Sequence, residues 1–342
     1  MPDTAPGLFA DLRQRIARVP RLRLACLPTP LQEMKRLSAA LGGPRLLVKR
    51  DDLTGLAFGG NKVRNWEFRL PDLVDQGAET AILGLDLQSN SARQSTAACI
   101  QAGIRCILVL EGKRPNAIQG NLLIDFLLGA EVHFADDRAH QRRLLDDLAA
   151  RERAEGRKAI IVNDSPMFEV ASSLAYMESL METLEQMTQL GVPTDHVYIS
   201  SAGKAQGGMA LLEALMGHSF KVHGVTATAE WKVAPRTLEI ARATAKTLGI
   251  EVPLTIEDIV NHAEFVGPGY GRPSEASIEA VKLFARTEGL ILDAIYSGKC
   301  AAGLLAHIRE GRFKTTETVV FVHTGGTPAV FNYPDLWLPA AG

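Results

Sequence analysis

The chain of 342 residues is 46% hydrophobic and 22% charged, enough to bury a large core and more than one core usually serves, so two domains or one with a large inserted lobe are expected. Its 37 Lys and Arg against 39 Asp and Glu leave a formal net charge of −2, which excludes the footprint of a dedicated nucleic-acid binder and points to a small-molecule partner. Cys26, Cys99, Cys106 and Cys300 form no C-x-x-C pair and no dense framework and read as reduced intracellular thiols, and no apolar run approaches the ~18 residues that cross a bilayer, so a soluble, cytoplasmic protein is expected.

In chain order, the start is rich in arginine (Arg13, Arg15, Arg18, Arg21, Arg23), as transit peptides are, but Asp3 and Asp11 interrupt it and it reads as a surface helix. Short apolar runs then alternate with longer helical patterns, the signature of parallel strands with crossover helices. The spacing predicts strands at 46–49, 80–83, 106–110, 131–134, 159–162, 196–200, 221–226 and 318–322. Helices are predicted at 92–101, 139–155, 170–190, 208–216, 235–247, 275–288 and 301–310. The class is α/β, and no repeat, low-complexity tract or Pro/Gly linker marks a boundary.

The G-x-G-x-x-G, P-loop, G-x-S-x-G and H-E-x-x-H motifs are absent. Gly267-Pro268-Gly269-Tyr270-Gly271 lies in a non-periodic stretch rather than at a strand-to-helix turn. Eight histidines, at 133, 140, 196, 218, 223, 262, 307 and 323, show no ligand spacing, so no metal centre is expected.

Three segments carry chemistry. Gly59-Gly60-Asn61-Lys62 follows Lys49-Arg50-Asp51-Asp52 and places Lys62 at a helix start. The turn Gln88 to Gln94 joins a strand to an Ala-rich helix, where free N–H groups cap the helix or bind an anion such as a carboxylate. Ser200 to Gly208 follows another strand and opens another helix, an arrangement that cradles phosphate. Together they suggest a phosphorylated cofactor and a carboxylate substrate.

With Pro28-Thr29-Pro30-Leu31, Ser201-Ala202-Gly203, Gly269-Tyr270-Gly271, Tyr296-Ser297-Gly298-Lys299 and His323-Thr324-Gly325-Gly326 added, the order of landmarks resembles the pyridoxal-phosphate enzymes of the tryptophan-synthase-β type (fold type II). Within them it is similar to the branch of D-cysteine desulfhydrase and 1-aminocyclopropane-1-carboxylate (ACC) deaminase. The resemblance implies two mainly parallel α/β domains with pyridoxal 5'-phosphate in the cleft between them. Residues 1–58 and 167–342 would form the large domain and 59–166 the small one. It also implies a homodimer.

By the same resemblance, Lys62 forms the imine to the cofactor and Asn90 meets its ring hydroxyl. Ser201, Ala202, Gly203 and Lys204 hold the phosphate, and Ser297, with Thr324 near it, faces the ring nitrogen. Ser89, Asn90 and Ser91 take the substrate carboxylate, and Tyr270 and Tyr296 flank the reacting carbons, so that Lys62, Tyr296, Tyr270 and Ser89 form the catalytic set. ACC deaminase carries a glutamate where Ser297 stands, and a hydroxyl makes the ring a weaker electron sink. The implied reaction is therefore α,β-elimination from a small β-substituted amino acid, giving a 2-oxo acid and ammonia. ACC deamination, β-replacement by a synthase and cofactor binding with little catalysis are the alternatives.

Four departures from the family pattern stand out. Asn65 replaces a lysine and Lys204 a threonine near the phosphate, as though one cation had changed sides; alternatively Lys204 points to solvent or pairs with Asp86. Leu85 and Asp86 replace small residues, and Asn163-Asp164-Ser165 replaces a Gly-Gly-Ser-like turn.

Overall fold

Along buried parallel strands successive side chains turn to opposite faces and both faces are covered, so such strands read as nearly continuous apolar runs. In the computed structural model, which describes residues 5–228 and 232–338, the runs sort into two sheets. The larger comprises β1 (Leu31–Glu33), β2 (Arg45–Lys49), β7 (His196–Ser200), β8 (Lys221–Val225), β9 (Val260–His262) and β10 (Thr318–Val322), in the order β1-β2-β10-β7-β8-β9. The β1–β2 pair is antiparallel and the remaining pairs are parallel.

Val197, Ile199, Val222, Val320 and Val322 bury one face of this sheet in the core formed with α1 (Ala5–Ile16), α7 (Met167–Gln189), α8 (Lys204–Leu215) and α9 (Val233–Leu248). Leu46, Val48, Tyr198, Val319 and Phe321 bury the other against α2 (Lys35–Leu41), α10 (Glu275–Glu288) and α11 (Ser297–Arg309). The arginine-rich start is α1: Phe9, Leu12 and Ile16 are buried, and Arg13 pairs outward with Glu185. A short helix, α12 (Pro334–Trp337), closes the described chain.

The smaller sheet is wholly parallel, with β3 (Thr80–Asp86), β4 (Arg105–Glu111), β5 (Glu131–Ala135) and β6 (Ala159–Ile161) in the order β5-β4-β3-β6. One face packs on α3 (Asn61–Asp75), α4 (Asn90–Gln101) and α5 (Gly120–Leu127), the other on α6 (Arg138–Ala154). The architecture is thus mixed α/β with parallel-dominated sheets flanked by helices.

A buried ion network fixes α3 against the large sheet. Lys49 Nζ donates to Glu182 Oε1 at 2.5 Å, while Arg64, one turn into α3, donates from Nε and Nη2 to the two oxygens of Asp51 at 3.0 and 2.9 Å. Tyr176 OH adds a third donor to Asp51 at 2.9 Å. Burial alone would lift the Asp51 pKa, but Arg64 and Lys49 hold it below its ordinary value. Removing one member of such a network leaves an uncompensated buried charge, at a cost of about 3–5 kcal/mol. The Lys49-Arg50-Asp51-Asp52 motif is therefore framework for Lys62.

Candidate active site

The turn before Lys62 is built for close approach. Gly60 takes φ 116°, its N–H reaches Thr54 Oγ1 at 2.8 Å, and a Cβ on Gly325 would lie 2.6 Å from Gly60 Cα. Ala57 and Phe58 also sit at positive φ, a conformation side chains rarely adopt. Arg93 of α4 holds the Ala57 carbonyl and Gln94 holds that of Gly59. Asn61 N–H donates to Thr324 O at 3.0 Å, so the start of α3 is stitched to the end of β10. Lys62 emerges there half-buried, with Nζ 3.1 Å from Asn61 Oδ1. Burial, aided by the field of Arg69, lowers its pKa to about 8.

Beside Lys62 lie cations without matching anions. Lys204, first residue of α8, rests its ammonium 3.7 Å from the centroid of the Phe168 ring and has no hydrogen-bond acceptor among the described residues. It is half-buried and does not pair with Asp86, whose Oδ1 accepts from Arg138 at 2.9 Å instead. Burial lowers the Lys204 pKa well below its ordinary value, and Arg69, Arg236 and Lys62 push the same way while Glu169 opposes. Arg69 is buried with Nε unpaired, and the buried Asn65 Oδ1 is also unpaired. Ser201 Oγ caps the loop by accepting from the amides of Gly203 and Gln206 at 3.1 and 3.2 Å, and Gly207 N–H donates to Gly203 O, so the amides of Lys204 and Ala205 are the ones left to a ligand. Lys62 and Lys204 facing one space against free helix amides fit a phosphate-bearing aldehyde cofactor.

At the start of α4, Ser89 is the helix cap: its Oγ accepts from Ser91 N–H at 3.1 Å and Ala92 N–H at 3.3 Å. Those two amides are thereby shared with Ser89 rather than bare. Asn90 Oδ1 accepts from Asn121 Nδ2 at 2.9 Å, while its own Nδ2 makes no hydrogen bond among the described residues and is available as a donor.

Tyr270 and Tyr296 meet, Oη to Oη, at 2.5 Å, and Tyr270 donates to Asp86 Oδ2 at 2.7 Å. The Tyr270 proton being committed to Asp86, Tyr296 is the donor within the pair. Burial raises both phenol pKa values, and the Asp86 charge adds to the rise. Ser297 is fully buried; its hydroxyl donates to Asp293 Oδ2 at 2.6 Å and lies 3.5 Å from Gly325 O. The Asp293 carboxylate also accepts the amides of Ile295, Tyr296 and Ser297. Lys299 turns away, donating to Gly269 O at 2.8 Å.

The structure thus brings Lys62 and Lys204, Asn61 and Thr324, Tyr270 and Tyr296, and Ser297 and Gly325 to the C-terminal ends of strands in the two sheets, where open parallel sheets bind ligands. The sequence offered Asp86 as a departure and an alternative partner of Lys204, marked Arg93 and Gln94 only as members of the Gln88 to Gln94 turn, and left Arg69 and Asp293 unmarked. Asp293 carried no signal because it sits between predicted elements; Arg69 lay on a helix face indistinguishable from a solvated one.

A lysine at a glycine turn, a second lysine opening α8 and an unpartnered Asn90 amide are features a pyridoxal-phosphate site requires. Residues 22–325 match the model of the family described as pyridoxal-phosphate dependent enzyme, and the chain belongs to that family. It is 35% identical over 326 residues to a D-cysteine desulfhydrase of Klebsiella pneumoniae, covering 94% of this chain and 98% of that protein. Over 333 residues it is 34% identical to a 1-aminocyclopropane-1-carboxylate deaminase of Burkholderia vietnamiensis, with the same coverage. A crystal structure of an ACC deaminase homologue superposes with a TM-score of 0.84 at 27% identity, covering 95% of this chain and 97% of the other. The protein is a pyridoxal-phosphate-dependent enzyme of fold type II, as the resemblance implied. Among the described residues no helix is long and apolar enough to cross a membrane.

Proposed function

We propose that the protein catalyses α,β-elimination from a small amino acid with a β leaving group, D-cysteine being the example, to give a 2-oxo acid and ammonia. The observation that carries this reading is a lysine amine of depressed pKa at the same strand ends as a Tyr296–Tyr270–Asp86 proton chain. Pyridoxal phosphate, when bound, supplies the electron sink for the pair left when the Cα–H bond breaks.

Everything else falls to this chain. Lys62 Nζ accepts the proton from Cα, and a pKa near 8 leaves a usable neutral fraction at physiological pH. Asn90 and Ser91, with Ser89 orienting the turn, hold the substrate carboxylate. Tyr296, whose O–H rotates about its C–O bond, delivers a proton to the departing heteroatom, while Asp86 fixes Tyr270 behind it. Lys204 and the Ser201–Gly203 loop take the phosphate; Ser297 and Thr324 face the ring nitrogen. We assign residues 59–166 to the small domain and 1–58 with 167–342 to the large one. The same reading makes the enzyme a cytoplasmic homodimer, in keeping with Cys26, Cys99, Cys106 and Cys300 standing as free thiols.

ACC deamination is the second reading, carried by the 34% identity to a protein of that name. Ammonia release from a panel of D- and L-cysteine, β-chloroalanine and ACC tests both. Faster turnover of β-substituted alanines, abolished in Lys62→Ala, is expected; ACC as the best substrate would reverse the assignment.

A further inference from the structure

On the face of the large sheet opposite α8, the strand register stacks histidines. Tyr198 pairs with His223 across β7 and β8, and Val225 pairs with His262 across β8 and β9, so His196, Tyr198, His223 and His262 all turn toward α11. From α11, His307 points down among them. The rings touch in series: His196 to His223 at 5.3 Å, His223 to His262 at 5.4 Å and His262 to His307 at 4.5 Å between centroids. Glu264, two residues past β9, brings Oε1 to 3.2 Å from His262 Nδ1 and 3.8 Å from His307 Nε2.

We propose that His262, Glu264 and His307 form a binding site for a divalent transition ion of the zinc class, separate from the cofactor site. The three ligand atoms all lie within 4.8 Å of one another, and a tetrahedral ion with bonds of about 2.1 Å needs them roughly 3.4 Å apart, a small contraction. His307 Nε2 is the independent sign of a ligand: the residue is fully buried, and this atom has no hydrogen-bond partner. Glu264 is 52% exposed, which gives the ion a path from solvent and the carboxylate freedom to adjust.

The surrounding hydrogen bonds have the order an ion requires. A histidine that ligates through one nitrogen must carry its proton on the other and give it to an acceptor. His307 Nδ1 lies 2.6 Å from Tyr198 Oη. His262 Nε2 lies 3.1 Å from His223 Nδ1, and His223 Nε2 lies 3.2 Å from His196 Nδ1. His196 Nε2 ends the series 3.5 Å from Glu317. Run in one direction, each N–H therefore has a partner and both ligating nitrogens keep their lone pairs for the ion. The opposite proton order, with His262 Nδ1–H donating to Glu264, needs no ion and is the competing description.

An ion here would tie the edge strand β9 to α11, whose first turn carries Ser297. The test uses holoenzyme stripped with a chelator and kept free of amino acids, titrated with Zn²⁺ by calorimetry and with Co²⁺ by absorption. One equivalent should bind and raise the unfolding temperature, with Co²⁺ showing the bands of a nitrogen- and carboxylate-ligated ion. Glu264→Gln, at an exposed position, and His262→Gln should each weaken binding about tenfold or more. Cys26→Ser should leave it unchanged. No stoichiometric binding, or binding indifferent to both ligand variants, would overturn the site and leave a proton chain ending on Glu264.

Discussion

Lys204 is a half-buried lysine at which the field of Arg69, Arg236 and Lys62 outweighs that of Glu169, and this makes its removal informative in two opposite ways. A dianionic phosphate met by an ammonium forms charge-assisted hydrogen bonds, each contributing about 1.5–3 kcal/mol. Lys204→Thr should therefore weaken cofactor binding by roughly 10- to 150-fold. In the apoenzyme the same substitution removes a desolvated charge repelled by Arg69, Arg236 and Lys62, so the apoenzyme should gain stability. Titration of apoenzyme with pyridoxal phosphate measures the first effect, and thermal unfolding with and without cofactor measures the second. Lys204→Thr/Asn65→Lys should restore affinity, because Asn65 is buried with an unpaired Oδ1 one helical turn from Lys62. Unchanged affinity in the single variant would refute the phosphate role. Weaker binding without a gain in apoenzyme stability would refute the charge-repulsion argument.

Three further outcomes follow from the same geometry. Tyr296→Phe removes the hydroxyl proposed to protonate the leaving group while keeping the ring, so kcat should fall by about 10²-fold with a smaller change in KM; an unchanged kcat refutes that role. Lys62 must be neutral to accept a proton and its pKa is lowered to about 8 by burial and then by Arg69, so kcat should rise with pH and level off above about 8. Arg69→Gln should move that limb to higher pH, and an unmoved limb in stopped-flow pH profiles would exclude the Arg69 contribution. Ser297→Glu should raise ACC turnover relative to β-chloroalanine, measured as 2-oxobutanoate against pyruvate, and an unaltered ratio would remove the ring-nitrogen argument.

What the sequence disclosed and what it hid divide along a physical line. Largely apolar runs of five to seven residues, as in β2, β3, β4, β7, β8 and β10, were legible because burial on both faces enforces them. β1 and β9 were not, since two of the three side chains in each are polar, whereas the equally short β6 is apolar throughout. Helix starts were read late: α8 begins at Lys204 rather than 208, α11 at Ser297 rather than 301, and α7 at Met167 rather than 170. The opening turns of α8 and α11 are rich in glycine, serine, glutamine and lysine and therefore lack the apolar spacing that marks a helix. α5 was hidden by Asp125, which read as a break in an apolar run. In the structure it is buried, with both oxygens unpaired, and burial raises its pKa to about 8 despite the field of Arg93. The histidine stack was invisible for another reason: its members come from four elements, and register across strands leaves no spacing along the chain.

The ring-nitrogen position shows how a reading confined to single residues falls short. A serine in place of a glutamate looks like the loss of a charge, yet a carboxylate stands one bond further back. Asp293 is held by three backbone amides and takes the Ser297 proton, while its own N–H donates back to Ser297 Oγ at 2.9 Å, so one lone pair of the hydroxyl oxygen is left over, polarised by a buried anion. Gly326 is part of the arrangement, because a Cβ there would lie 2.4 Å from Asp293 Oδ2. An oxygen so held is an acceptor, better suited to a protonated ring nitrogen than a free hydroxyl is, while the charge itself stays farther away than a glutamate would bring it. The electron sink should therefore be intermediate in strength, enough for α-proton removal with prompt loss of a good β leaving group. Cyclopropane opening, which has no such leaving group, demands more of the ring, and that difference is why elimination is the favoured reading of this site.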